Sequence, residues 1–352
     1  MKVMKKALSL LLAVSLMVSL FTIGASARTT TKYQGKSLVI LGDSIAAGFG
    51  LMPGSNDMFT QIFRMPHGEF VEKSWAKQIR DQFGFSQVTS VNLSRNMWRT
   101  DEYLRVLDPA FEDNLCEPEN AMDQYISDYL MFFSELTKPG DTIKLSRDIQ
   151  QAIRQADVLV FSLGSNDIMT YAICKPLMLP FYQVFGRQAA VALATVTQME
   201  LKTLDSAEDL AKFALGTLNS PDLESCVWEG VASFKQNYNR LLGIIYALNP
   251  DVKIYAMGIT QPFKDMMFAP GIPAQLFPRL NVEVIADVRN YITQKNRYRN
   301  RVTYIDCSDV GGYYFPDVIN PMFFLRFIVA VHPDEAGHRR IAQHVAAALE
   351  AG

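Results

Sequence analysis

Five short apolar runs punctuate the chain: Leu38–Leu41, Val88–Leu93, Val158–Leu163, Val252–Met257 and Val302–Ile305. Each is four to six residues long, rich in Val and Ile, and does not alternate with polar positions. That is the pattern of strands buried on both faces of a parallel sheet. Helical patterns lie between them. Ser74 to Phe83 is followed by Gly84, a C-cap signal. Ser146 to Ala156 leads into the third run. Val227, Val231, Phe234, Tyr238, Leu241, Ile245 and Leu248 recur at spacings of three and four, one apolar helix face before the fourth run. Leu280 to Arg297 precedes the fifth. Asp334 to Leu349 closes the chain, with Ile341, Val345 and Leu349 on one stripe. This alternation predicts an α/β fold: a parallel five-stranded sheet with right-handed crossovers in a three-layer α/β/α sandwich.

Two segments exceed ordinary connections. Residues 107–145 contain a helical piece, Asp123–Leu136. Residues 171–225 begin with the apolar stretch Ile173 to Phe185. Both follow strand ends, where long helical insertions serve as lids or binding walls, or simply form a decorative subdomain. No internal repeat, low-complexity tract or linker is visible.

The first 27 residues read as a secretory leader. Lys2, Lys5 and Lys6 precede an apolar stretch from Ala7 to Ile23, and Ala25-Ser26-Ala27 is a small-residue cleavage site. Cleavage after Ala27 leaves residues 28–352 as one domain, secreted or otherwise extracytoplasmic. No later segment has the length of apolar sequence that a membrane span needs.

The chain has 34 Lys+Arg and 36 Asp+Glu. Without the three leader lysines the balance is 31 against 36, a net charge of −5, which argues against nucleic acid as a partner. Apolar content of 49% with 20% charged residues describes a globular core. Cys116, Cys174, Cys226 and Cys307 include no C-x-x-C pair, so a zinc or redox site is not indicated. Four cysteines allow three full disulfide pairings, Cys174 with Cys226 among them, and buried free thiols are the other reading.

Candidate chemistry sits where the runs end. The first finishes in Gly42-Asp43-Ser44, so a hydroxyl stands at the carboxyl edge of the sheet where a helix departs. A serine needs a base to become a nucleophile. The chain has four imidazoles, His67, His332, His338 and His344. His332 is best placed, because Pro333 holds it extended just before the closing helix. His338 and His344 fall on that helix, where a solvated face is expected. Gly164-Ser165-Asn166-Asp167 follows the third run, and an Asn amide there is a donor for an oxyanion.

Gly42-Asp43-Ser44, Gly164-Ser165-Asn166-Asp167 and His332-Pro333 together resemble the first, third and last sequence blocks of the SGNH, or GDSL-type, hydrolases. The resemblance spans the chain after the leader, with the blocks in order at strand ends. It implies a flavodoxin-like sheet, Ser44 as nucleophile and His332 as base. It also implies an oxyanion hole from the Ser44 N–H, the Asn166 side chain and a backbone N–H of the second block. That block corresponds to Asn92-Leu-Ser-Arg-Asn96-Met97-Trp98-Arg99-Thr100, where Met97 stands in place of the family's glycine. A non-proline residue keeps its N–H, so Met97 remains the expected donor.

The second departure concerns the base. The family pattern has an aspartate three residues before the histidine, and here that position is Val329. Three arrangements are open: a Ser44–His332 dyad held by a backbone carbonyl, a carboxylate from Asp306, Asp309 or Asp317, or a weakened site. An orienting aspartate is worth up to about 10⁴ in rate in a well-studied protease.

These residues point to a secreted serine esterase acting through an acyl-enzyme, without metal or organic cofactor. Met169, Tyr171, Ile173, Leu177, Met178, Leu179, Phe181, Tyr182 and Phe185 suit the wall of an acyl pocket, hence lipid or short aliphatic esters, or the packing of a helical subdomain. Within the same resemblance, a carbohydrate O-acetylesterase acting on a glycan ester is the alternative. Of other classes, a glycan O-acetyltransferase and a noncatalytic binding protein on this fold are the alternatives.

Overall fold

The computed structural model describes residues 31–49, 51, 69–96, 98–111, 139–173, 222–261, 276–311 and 332–352. The expected leader, residues 1–27, lies outside the described residues, as do His67, Met97, Asp123–Leu136, most of residues 171–225, Asp317 and Val329.

The strands are β1 (Leu38–Gly42), β2 (Val91–Asn92), β3 (Val158–Ser162), β4 (Lys253–Met257) and β5 (Val302–Ile305). All pairs are parallel, in the order β2-β1-β3-β4-β5. This flavodoxin-like order reverses between β1 and β3, and the crevice outside the strand ends at such a reversal is where α/β sheets hold ligands. Four strands match the apolar runs to within a residue at each end. β2 is shorter than the predicted Val88–Leu93, and Val88 is 92% exposed. Ser86 Oγ accepts the N–H groups of Val88 and Thr89, closing a turn. A local side-chain bond of this kind competes with the strand ladder.

The helices are α1 (Ser44–Ala47), α2 (Trp75–Gln82), α3 (Thr100–Leu107), α4 (Pro139–Gln155), α5 (Ser165–Ile173), α6 (Asp222–Leu248), α7 (Leu276–Asn290) and α8 (Glu335–Ala351). A π-helical turn, Tyr291–Lys295, continues α7. α2 starts at Ser74, whose Oγ accepts the Lys77 N–H. α8 starts at Asp334, whose carboxylate accepts the Gly337 N–H at 2.7 Å. Both are N-caps of the expected chemistry.

The period-two alternation of each strand sorts its side chains into two cores. Val39, Leu41, Leu159, Phe161, Ile254 and Ala256 face α3, α4, α6 and α7. Leu38, Ile40, Val158, Val160, Tyr255 and Met257 face α2 and α8. With each buried aliphatic side chain contributing roughly 1.5–3 kcal/mol, both faces of the sheet are strongly held. The irregular carboxyl edge is thereby fixed by the layers beneath it.

Candidate active site

β1 ends where nothing larger than glycine fits. A Cβ on Gly42 would lie 2.6 Å from Ala46 Cβ, 2.9 Å from Ser94 Oγ and 3.0 Å from the Ser162 carbonyl oxygen. The Tyr103 hydroxyl of α3 pins the same spot, accepting the Gly42 N–H at 3.0 Å and lying 2.9 Å from the Gly42 carbonyl and 3.0 Å from that of Leu93. Asp43 then caps α1, its Oδ1 accepting the Ile45 N–H at 2.9 Å. Ser44 is therefore the first residue of a helical turn clamped from below. Its N–H is one of those a helix leaves without an internal partner.

Ser44 Oγ and His332 Nε2 are 2.6 Å apart although 288 positions separate them in the chain. Each residue is only 7% exposed. For Nε2 to accept the hydroxyl proton, the imidazole must carry its own hydrogen on Nδ1. The Phe49 ring lies against the imidazole, centroids 4.4 Å apart and planes tilted by 34°. His332 sits just ahead of the Asp334 cap, as the Pro333 signal indicates.

Asn166 is the second residue of α5, just beyond β3. Its Nδ2 donates one hydrogen to the Trp98 carbonyl at 3.2 Å, leaving the second amide hydrogen for another acceptor. The neighbouring Asp167 is buried and accepts the Thr100 N–H at 3.1 Å together with the Thr100 hydroxyl. The segment after β2 and the helix after β3 are thus joined by two adjacent residues of one motif.

Behind Thr100 lies a buried ionic cluster invisible as a unit in the sequence. Arg99 pairs with Glu102 at 2.7 Å and Asp101 at 3.2 Å, and Asn237 of α6 bonds Asp101. The Glu102 carboxylate also accepts the Arg99 N–H at 2.7 Å, as at the N-terminus of a capped helix. Helix α3 shows no clean apolar stripe in the sequence because polar Thr100, Asp101 and Glu102 are buried alongside Tyr103, Leu104, Val106 and Leu107. Its signal was the acidic pair Asp101-Glu102 in the first turn.

Burial governs the electrostatics. Desolvation pushes the Asp43 carboxyl up to about 7, against the lowering effect of the Ile45 and Ala46 N–H groups. It pushes Asp167 up to about 6, against Thr100 and the Arg99 charge. Both acids therefore titrate nearer neutral pH than ordinary carboxylates do.

The other candidates divide. His338 is fully buried, correcting the expected solvated position. Its Nδ1 receives the Trp75 N–H at 3.4 Å, linking α8 to α2, and Nε2 is without a partner. Burial, with the nearby His332, holds its pKa down at about 3. The apolar interface between α2 and α8 explains the difference, because position 338 shares the inward face with Ile341, Val345 and Leu349. His344 is half-buried and pairs with Asp309 at 2.7 Å. Asp306 accepts the Ser308 N–H and pairs with Arg289. Among the described residues no group of acids, His and Cys is placed to hold a metal. No helix among them is long and apolar enough to cross a membrane. Cys307 is a buried thiol, its pKa raised by desolvation. Cys226 is also buried, whereas Cys116 and Cys174 lie outside the described residues.

A doubly covered parallel sheet with a serine–histidine contact at its point of reversal defines an α/β protein of the SGNH type. The family model of GDSL-like lipases and acylhydrolases matches residues 38–345, and the chain belongs to that family. Members generally hydrolyse esters. Solved structures similar to it include a lipase from a goat rumen metagenome, at 15% identity and TM-score 0.42, covering 89% of this chain and 97% of that one. A phospholipase A1 from Streptomyces albidoflavus NA297 matches at 12% identity and TM-score 0.45, covering 90% and 99%. A family two carbohydrate esterase from Clostridium thermocellum matches at 13% identity and TM-score 0.38, covering 90% and 63%. Against curated protein sequences no match was found.

Proposed function

We propose that the chain is a secreted serine esterase that hydrolyses carboxylic esters through an acyl-enzyme, with lipid or short aliphatic acyl esters as substrates. The observation that carries this reading is the 2.6 Å contact between Ser44 Oγ and His332 Nε2 at the sheet's carboxyl edge. His332 Nε2 takes the Ser44 proton as Oγ bonds to the ester carbonyl carbon. The carbonyl π pair moves onto oxygen, where the Ser44 N–H and the spare Asn166 amide hydrogen donate to it, joined by the Met97 N–H. When the tetrahedral centre collapses, the C–O bond to the alcohol breaks and His332 returns the proton to the departing oxygen. Water then attacks the acyl-serine by the same route and releases the acid. Each oxyanion donor of this kind contributes about 3 kcal/mol to lowering the barrier.

The acyl preference is supported by Met169 and Tyr171 on α5 and the apolar run Ile173 to Phe185 after it in sequence. Secretion is supported by the leader sequence ending at Ala27. The test is a series of aryl esters of increasing acyl length, assayed with the mature protein and Ser44→Ala. Hydrolysis is expected from acetyl through longer chains, falling by about 10⁴-fold or more in the variant. Full activity in Ser44→Ala rules the nucleophile out. A steep fall beyond acetyl replaces the lipid-like reading with a carbohydrate O-acetylesterase. Acyl appearing on a sugar instead of as free acid identifies a transferase.

A further inference from the structure

The geometry points to Phe49 as the positioning residue of the base: its ring holds the His332 imidazole against Ser44 and favours the imidazolium that forms during reaction. The inference rests on the Ser44–His332 reading and extends it.

Phe49 belongs to the nucleophile's own turn. Its N–H donates to the Ser44 carbonyl at 2.9 Å, and Gly48, at φ +83°, turns the chain back so that this bond can form. The rigid segment that fixes Oγ therefore also fixes the ring on which the base lies. Phe49 is 2% exposed and the imidazole 7%, so the 4.4 Å stack is almost dry. An aromatic ring in close contact restricts imidazole rotation. An aromatic face also attracts a cation, most strongly when both partners are desolvated. The neutral imidazole of the resting enzyme gains little from that attraction. The imidazolium produced by proton transfer from Ser44 gains more, and an interaction stronger in the transition state than in the ground state raises kcat rather than lowering KM.

Among the described residues, titratable groups also lie near the pair in sequence or in space. From α8, His338 presents a buried imidazole held neutral at ordinary pH. The Asp334 carboxylate, two residues beyond His332, is bound to the Gly337 N–H. Asp43, next to Ser44, is turned into its own helical turn by the Ile45 N–H. With Val329 where the family carries an aspartate, a ring anchored to the nucleophile is a different means of aligning the base.

The experiment compares Phe49→Leu, Phe49→Tyr and Ser44→Ala in the mature protein on one aryl ester across pH 5–9. Phe49→Leu is expected to lower kcat about thirtyfold with KM within about threefold, and to move the acidic limb of the profile to lower pH. Phe49→Tyr, which keeps the ring, is expected to restore kcat to within about threefold of the parent. Wild-type protein labelled in its histidines supplies a measurement independent of variant folding: His332 ring protons should resonate upfield from the Phe49 ring current. Leu and Tyr variants with equal kcat and equal acidic limbs overturn the inference, as does a wild-type His332 with no upfield shift. Activity retained by Ser44→Ala would instead remove the nucleophile reading, so the two failures are distinguishable.

Discussion

Burial strongly opposes the ionisation of Asp43, and Asp43→Asn isolates the effect. Burial raises its pKa from the ordinary 3.8 to about 7. Below pH 4 the folded and unfolded chains both hold the proton, and the folded state is not penalised. Between pH 4 and 7 only the folded chain holds it, so stability falls as pH rises through that window. Above pH 7 both states are ionised and the full penalty is present. A shift of about three units at 1.36 kcal/mol each amounts to about 4 kcal/mol. Asparagine caps helices as well as aspartate does and can still accept the Ile45 N–H, so the variant keeps the cap and loses the charge. Urea denaturation at pH 4, 5, 6, 7 and 8 measures both proteins. The stability of Asp43→Asn relative to wild type is expected to rise by up to about 4 kcal/mol across that range, most of it between pH 5 and 7. Asp167, raised to about 6 in the same window, is present in both proteins and largely cancels in the difference. Curves that stay parallel from pH 4 to 8 refute the claim that Asp43 is buried and reluctant to ionise.

Two further substitutions probe the framework of the site. Thr100→Val removes the hydroxyl that Asp167 accepts and leaves a buried carboxylate short of a donor. It should cost about 1–3 kcal/mol by urea midpoint and lower kcat more than it alters KM, since Asn166 is the next residue. Gly42→Ala inserts a methyl within 3.0 Å of Ala46, Ser94 and Ser162. The overpacking should lower stability by about 1–3 kcal/mol, seen in the melting temperature, and reduce esterase activity further than the stability loss explains by displacing Ser44.

What could be read from the chain follows from how local each signal is. Four strand positions were legible because both faces of a parallel strand are buried and the run is continuous, as in Val158 to Ser162. The second strand was over-read because Val88 looks like a strand residue while Ser86, two positions earlier, folds the backbone into a turn. Ser44, Asn166 and His332 were legible because each stands at the end of a strand or the head of a helix. Their spacing across the sheet edge needed the fold, since the Ser44–His332 contact spans 288 positions. His338 was misplaced because a lone imidazole on a helix has no periodicity of its own. Its burial is decided by Trp75 and Ile79 on α2, far away in sequence. The Arg99–Glu102 cluster was missed for a related reason: four charged or polar residues in a row read as surface until Asn237 arrives from α6.

The same cluster bears on the oxyanion role proposed for the second block, which lacks the family's glycine. Met97 would have to present its N–H in a fixed direction, and its own backbone freedom is less than glycine's. Its flanks are not free to move. Trp98 is 1% exposed, packs edge-on against Tyr103 at 4.8 Å and gives its carbonyl to Asn166. On the other side, the Arg95 N–H donates to the Gly42 carbonyl at 3.0 Å. Beyond Trp98, Arg99 and Thr100 are locked by Glu102, Asp101 and Asp167. The buried ion pairs add little net stability in themselves, because desolvation offsets their attraction. Their contribution lies in orientation: they hold Arg99 to Glu102 in place, while the hydrogen bonds of Arg95, Trp98 and Thr100 tie the described residues on either side of position 97 to the ends of β1 and β3.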